Sequence, residues 1–362
     1  MSLCFSLFGL FACRRTMSET NATPPPKMWA IRVHARDGTR TMKHELAPLP
    51  SIGPDELLIR VHATAITPTE LSWNSTFTRS DGTERLPSIP GFEFSGTVAS
   101  TGPAVTDLTG GDEVYGLLNF WRNGAAAEYV TTAASEVALK PVSVDHIRAA
   151  ALPLSGLTAW QALFDHARLK RGDRVLIHGA AGGVGSLAVQ LAHARGAYVI
   201  GTASSERTPF LRDLGIDEIV DYTKVLFEEK VRDVDVVLDT VGGETLERSW
   251  SLVRPGGSLV SIVSDVPEDR ARAQGIHGAS MLVTPNRSEL IELARMVDSG
   301  VLRPVVNAVY PLASAREAYD RGAAGHNQGK TVLRVVDSPK PPSSRHESRP
   351  PPGNGAPTGS RA

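Results

Sequence analysis

Short apolar runs, rather than long ones, set the rhythm of this chain. Residues 28–34, 57–65, 93–99 and 126–130 are apolar, β-prone stretches of strand length. Ser51-Ile52-Gly53-Pro54, Ser80-Asp81-Gly82 and Gly110-Gly111-Asp112 punctuate them as turns. That texture predicts a small, mostly β barrel or sandwich up to about residue 150. From residue 151 the period changes. Strand-like runs at 174–178, 198–202, 218–220, 234–239 and 258–263 alternate with helical stretches at 184–194, 208–214 and 244–252. Alternating strands and helices predict a parallel sheet covered on both faces. A helical stretch at 288–298 is followed by strand-like text at 305–310 and 331–336, so the chain is expected to return to its first domain. The fold class is therefore α/β, with a β domain of residues 28–150 plus 305–336 and a doubly wound domain of residues 151–304.

The two ends read differently. Met1 to Ala12 is mostly apolar and Arg14 and Arg15 follow it, the reverse of signal-peptide order. The run is too short to span a bilayer. With Pro24-Pro25-Pro26 behind it, residues 1–27 read as a disordered leader, with Met17 or Met28 as alternative starts. Residues 337–362 are rich in Pro, Ser, Gly and Arg and lack the apolar groups that offset ordering entropy, so a disordered tail is expected.

Composition narrows the function class. With 362 residues, 41% of them hydrophobic, the chain can bury two cores. A formal net charge of -1 gives no electrostatic reason to bind nucleic acid. Cys4 and Cys13 are the sole cysteines, so the body has no disulfide framework and no thiolate for a metal. These features suit a reducing compartment, and the expectation is a cytoplasmic protein with a small-molecule substrate.

The strongest chemical signal is His178-Gly179-Ala180-Ala181-Gly182-Gly183-Val184-Gly185. It follows the apolar run Val175-Leu176-Ile177 and opens a helix, the context a dinucleotide fingerprint requires. Ala180, Ala181, Gly182, Gly183, Val184 and Gly185 are thereby candidate cofactor contacts. Gly182 lets backbone approach a pyrophosphate, Gly185 lets the helix pack on the strand, and free N–H groups at the helix start attract the phosphates. An acid near the end of the second strand would mark NAD. Ala203 stands there instead, followed by Ser204, Ser205 and Arg207, which suit a 2′-phosphate and therefore NADP(H).

Residues 28–336 resemble the medium-chain dehydrogenase/reductase superfamily in its zinc-free quinone oxidoreductase and enoyl reductase branch. The resemblance rests on Ile89-Pro90-Gly91-Phe92-Glu93-Phe94-Ser95-Gly96, Gly111-Asp112-Glu113-Val114-Tyr115-Gly116, Gly156-Leu157-Thr158-Ala159-Trp160, the glycine turn, Asp239-Thr240-Val241-Gly242-Gly243 and Gly329-Lys330. It implies a GroES-like β domain and a Rossmann domain with the active site between them. It also implies that Thr158, Tyr222, Thr240, Val241, Val263 and Lys330 contact the cofactor. Family members commonly pair through the last Rossmann strand, so a homodimer is compatible with it.

Against the zinc-dependent branch, the Cys position of the catalytic metal falls on Thr67 and the His position on Phe92. Zinc needs about four N, S or O ligands, and none of the ten histidines shows metal-ligand spacing. No metal is expected. Without a Lewis acid, hydride transfer from NADPH to a quinone or an α,β-unsaturated carbonyl is the easier chemistry, since the charge spreads to an oxygen that hydrogen-bond donors can stabilise. Where quinone reductases show Asn-Pro-x-Asp, this chain has Thr67-Pro68-Thr69-Glu70. Thr67 and Glu70 are the catalytic candidates, and Trp73, Phe120 and Trp121 the candidates for an aromatic-accepting pocket. Two other functions stay open: a non-catalytic NADPH-binding sensor or scaffold, and a discrete enoyl reductase of a polyketide or fatty-acid pathway.

Overall fold

The computed structural model describes residues 24–325 and 328–336. The expected tail, both cysteines and most of the expected leader lie outside these residues. The leader's last residues lie within them: the first strand begins at Lys27, and the Leu49 N–H donates to the Pro26 carbonyl at 3.1 Å.

The β domain is built on the strand Glu56–Ile66, whose burial alternates only weakly because both its faces are covered. It pairs antiparallel with Glu93–Thr101 on one side and with Lys330–Arg334 on the other. Glu113–Leu117 and Val137–Leu139 extend the sheet one way, Val306–Pro311 the other, and Tyr129–Ala133 pairs separately with Glu56–Ile66. The chain thus returns from the second domain to insert its final strand into the sheet of the first. A two-stranded hairpin of Lys27–Val33 and Met42–Pro48 flanks it.

The second domain is a six-stranded parallel sheet. Its order is Glu218–Val220, Tyr198–Thr202, Arg174–Ile177, Val234–Asp239, Val253–Ser261 and His277–Ser280, the 3-2-1-4-5-6 arrangement of a Rossmann domain. Val175, Leu176 and Ile177 are fully buried, as a strand covered on both faces requires. The helix Gly183–Arg195 ends at Gly196, whose φ of 80° is the left-handed C-cap that glycine adopts without strain.

Several strands depart from the expected ones. Residues 126–128 run just short of regular pairing, and the strand begins at Tyr129 instead. His277–Ser280 has no β-branched residue, yet it forms the sixth strand by parallel pairing with Ser258–Ser261. Met42–Pro48 mixes Lys43, His44 and Glu45 with apolar residues and is mostly exposed; its pairing with Lys27–Val33 makes it a strand. In the last two cases tertiary pairing overrides a weak local signal.

Candidate active site

Between the two domains lies a cleft of about 420 Å³. Its floor is the glycine turn. Gly179 takes φ 66°, so the left-handed residue of the turn precedes Ala180. Ala180 itself is fully buried and donates its N–H to the Thr202 carbonyl at 3.2 Å; it shapes the turn from below. Gly182, Gly183, Val184 and Gly185 line the cleft. A Cβ on Gly183 would stand 2.8 Å from Lys330 Cδ and 3.2 Å from Ser155 Oγ, and one on Gly185 would stand 2.2 Å from the Gly179 carbonyl oxygen. The helix therefore crosses the turn at backbone contact, and the cleft floor has no room for a side chain at Gly183 or Gly185.

The C-terminal segment closes the cleft from the β-domain side. Gly329 bridges to Gly182 and donates its N–H to the Ala181 carbonyl at 3.1 Å. Its neighbour Lys330 points inward. Lys330 Nζ lies 2.7 Å from Glu93 Oε1 as a buried ion pair and donates to Thr67 Oγ1 at 2.9 Å. Glu93 in turn accepts the Leu154 N–H at 2.9 Å, tying the cation to the start of the helix Pro153–Trp160. Lys330 and Thr67 both line the cleft, so the structure brings together a hydroxyl and the ammonium behind it.

Glu70 is placed differently from Thr67. It is 1% exposed and does not line the cleft. Its Oε1 accepts the Tyr319 hydroxyl and, at 3.4 Å, the Thr67 N–H, while Oε2 has no partner among the described residues. Burial pushes its pKa up to about 7, against the opposing pull of the Tyr319 hydrogen bond and the Lys330 charge. It supports Thr67 from behind and does not face a substrate.

The aromatic candidates separate. Trp73 lines an adjoining hollow with Val263, Ser264 and Leu282, next to the cleft. Phe120 is 7% exposed and packs edge-on against Trp73 at 5.4 Å, so it backs the wall. Trp121 is corrected: it is 41% exposed and lines a different groove of the β domain, because the loop turns its ring away from the cleft.

Among the dinucleotide candidates, Thr240 and Val263 line the cleft and Val241 is exposed beside Gly179. Thr158 is also corrected. Its hydroxyl donates back to the Leu154 carbonyl at 2.6 Å within its own helix, and it is 4% exposed. One turn earlier, Ser155 lines the cleft, and its buried Oγ has no hydrogen-bond partner among the described residues. At the far end of the turn, Ser204, Ser205, Arg207 and Tyr222 surround the end of the second strand. Ser205 donates its N–H to Asp221 Oδ2 at 3.0 Å, and Lys224 Nζ sits 3.1 Å from the same carboxylate. The hydroxyls of Ser205 and Thr223 hold the Asp221 carboxyl well below the usual carboxylate range. Arg207 Nη1 donates to Gln328 Oε1 at 3.0 Å, and Tyr222 is exposed. Sequence reading missed Ser155, Glu93, Tyr319 and Lys224 as members of the site. The landmark Gly91-Phe92-Glu93 contained a signal for one of them: an acid inside an apolar strand needs a buried partner.

The bare glycines and the orphaned Ser155 hydroxyl fit a pyrophosphate at a helix start. Among the described residues, no group of three or more His, Cys, Asp or Glu side chains could hold a metal ion, and no helix is long and apolar enough to cross a membrane.

A β domain clasped to a Rossmann domain, with a glycine turn at the floor of the cleft between them, defines a nicotinamide-dependent oxidoreductase. Residues 53–142 match the alcohol dehydrogenase GroES-like domain, and residues 214–333 match the family described as zinc-binding dehydrogenase. The mitochondrial NAD(P)H oxidoreductase RTN4IP1 of Danio rerio is 30% identical over 379 residues, covering 92% of this chain and 95% of that protein. The chloroplastic NADPH-dependent alkenal/one oxidoreductase of Arabidopsis thaliana is 34% identical, covering 79% of this chain and 73% of that protein. The structure of the quinone oxidoreductase from Coxiella burnetii superposes with a TM-score of 0.80 at 32% identity, covering 86% of this chain and all of the other. The chain belongs to the medium-chain dehydrogenase/reductase superfamily, in its quinone-oxidoreductase-like branch. The expectation of a cytoplasmic protein is overturned here, since the Danio rerio relative is named mitochondrial and the Arabidopsis thaliana relative chloroplastic.

Proposed function

We propose that the protein reduces a quinone or an activated alkene with NADPH, without zinc. The observation that carries this reading is the Lys330–Thr67 pair on the cleft wall: a hydroxyl backed by a buried ammonium, 2.9 Å away, where an oxyanion would form. A preorganised donor of this kind stabilises charge that develops during the reaction. When bound, the cofactor supplies the hydride. The chain's own residues do the rest. Backbone N–H groups at Gly183–Gly185, at the start of the helix, and the Ser155 hydroxyl would hold the pyrophosphate. Trp73, Val263 and Leu282 offer the acceptor an apolar wall. Thr67 Oγ1 holds a proton toward the developing oxygen, and Lys330 keeps that hydroxyl oriented as a donor. The ion pair with Glu93 fixes Lys330 in place.

Zinc independence is supported by the residues at the ligand positions of the resemblance. Phe92 presents a ring without a lone pair, stacked 6.0 Å from Trp73, and Thr67 is already bonded to Lys330. NADPH over NADH is supported by the absence of an acid at Ala203 and by Arg207 and Lys224 at the strand end. Asp221 does not oppose this strongly, because Ser205, Thr223 and Lys224 already engage its charge. The relatives named for alkenals, 2-methylene-furan-3-one and quinones lend the substrate class.

The test is NADPH and NADH consumption by the purified protein with a panel of quinones and 2-alkenals. Turnover with NADPH is expected, and a folded protein inert across the panel would defeat the reading. Arg207→Glu should weaken NADPH by roughly tenfold or more while sparing NADH, since one charge-assisted contact contributes about 1.5–3 kcal/mol. Equal losses for both cofactors would remove Arg207 from the 2′-phosphate site.

A further inference from the structure

Away from the cleft, a second groove of about 600 Å³ opens on the β domain, between the N-terminal hairpin and the segment around Trp121. Hydride chemistry does not use it. Its lining holds four arginines and no carboxylate. Two of the four are neutralised from outside the groove: Arg32 pairs with Glu45 at 3.1 Å and Arg122 with Glu56 at 2.6 Å. The other two hydrogen-bond only to neutral acceptors, although the Asp81 carboxylate lies near enough to Arg79 to feel its charge. Arg79 donates to Thr83 Oγ1 and the Glu84 carbonyl. Arg85 Nη2 donates to the Ser75, Thr76 and Phe120 carbonyls at 2.5, 3.1 and 3.4 Å.

Arg85 is the unusual member. It is 6% exposed, and its Nε and Nη1 have no acceptor among the described residues. Burial, with the charge of Arg79 added, pushes its pKa down to about 10, which leaves it a cation at neutral pH. A buried cation beside a like charge, with donors unpaired and no acid at hand, is a costly arrangement that an anion relieves. Apolar surface lies alongside: Trp121 is 41% exposed, with Met28, Leu49 and Ile89 in the same lining.

We propose that this groove binds an organic anion, with a carboxylate or phosphate head at Arg79 and Arg85 and an apolar body on Trp121. The occupant would sit one layer behind the substrate wall, because Arg85 also holds the Phe120 carbonyl and Phe120 packs on Trp73.

The full chain is titrated with octanoate, octyl phosphate and neutral octanol, followed by calorimetry and tryptophan fluorescence. Either anion should bind while octanol does not, and the tighter of the two identifies the head group. Arg79→Glu should weaken the anion at least about tenfold and leave NADPH affinity unchanged. Trp121→Phe should remove the fluorescence response. Arg85→Met should also abolish anion binding; if that variant fails to fold, Arg79→Glu, at an exposed residue, decides alone. Octanol matching the anions, unchanged anion affinity in Arg79→Glu, or no binding by either anion would overturn the site, and none of these results bears on NADPH turnover.

Discussion

Ala180 occupies the place where the dinucleotide pattern has its first glycine, and its methyl group fits because of a residue on the next strand. A Cβ on Gly201 would stand 2.7 Å from Ala180 Cβ and 2.5 Å from Ile216 Cδ1. The chain has moved a missing side chain from the turn to the strand that faces it. Gly201→Ala should therefore cost about 1–3 kcal/mol through overpacking. Ala180→Gly should recover part of that loss in the double variant, measured by denaturant unfolding; strictly additive effects would separate the two sites. Glu70 raises a residue-scale question of protonation. Its pKa in the folded protein is near 7, above the ordinary 4.5, because burial disfavours the carboxylate. Folded protein thus holds the proton more tightly than unfolded chain, and stability falls as pH rises from about 4.5 to 7. Tyr319, Lys330 and Glu93 face the group through that change. Glu70→Gln should gain on the parent by on the order of 3 kcal/mol at pH 8 relative to pH 4, read from melting curves across pH. A parallel pH dependence in both proteins would mean that Glu70 does not titrate in this range.

At the scale of elements, the helix Gly183–Arg195 is positioned by contact between backbones. Gly185 lies so close to Gly179 and Ala180 that any side chain must push the helix off the strand Arg174–Ile177. Gly185→Val should abolish cofactor binding, with NADPH no longer raising the melting temperature; retained protection would show that the turn tolerates displacement. This element was legible in the sequence, because an apolar strand, a small-residue turn and an apolar helix follow one another without interruption. The same holds for the five strands read from contiguous apolar runs. The strand His277–Ser280 was not legible, since its four residues carry no β preference and pairing alone defines it. Side-chain direction was not legible either. Thr158 and Ser155 are three residues apart on one helix, yet only Ser155 meets the cleft, and Thr158 spends its hydroxyl on its own backbone. Trp121 is adjacent to Phe120 but faces another groove. Loop residues have no fixed period from which such a direction can be read.

For the molecule as a whole, the two-domain plan and the return of the chain could be inferred from the change of texture at residue 151 and again near residue 305. The buried ion pair that seals the cleft could not. Lys330 and Glu93 lie in distant parts of the sequence; the acid among apolar neighbours signals that a buried partner exists, but nothing local names Lys330 as that partner. The pair matters because it belongs to a strand that completes the first domain from the end of the chain. Lys330–Arg334 sits between Val306–Pro311 and Glu56–Ile66. During synthesis, the Ala63–Ile66 stretch of the Glu56–Ile66 edge must therefore wait, unpaired, while the entire dinucleotide domain emerges from the ribosome; only Glu56–Arg60 is covered earlier, by Tyr129–Ala133. A chain stopped short of Lys330 should expose that edge to neighbouring chains and accumulate as aggregate, and supplying the missing strand as a separate peptide should return it to solution.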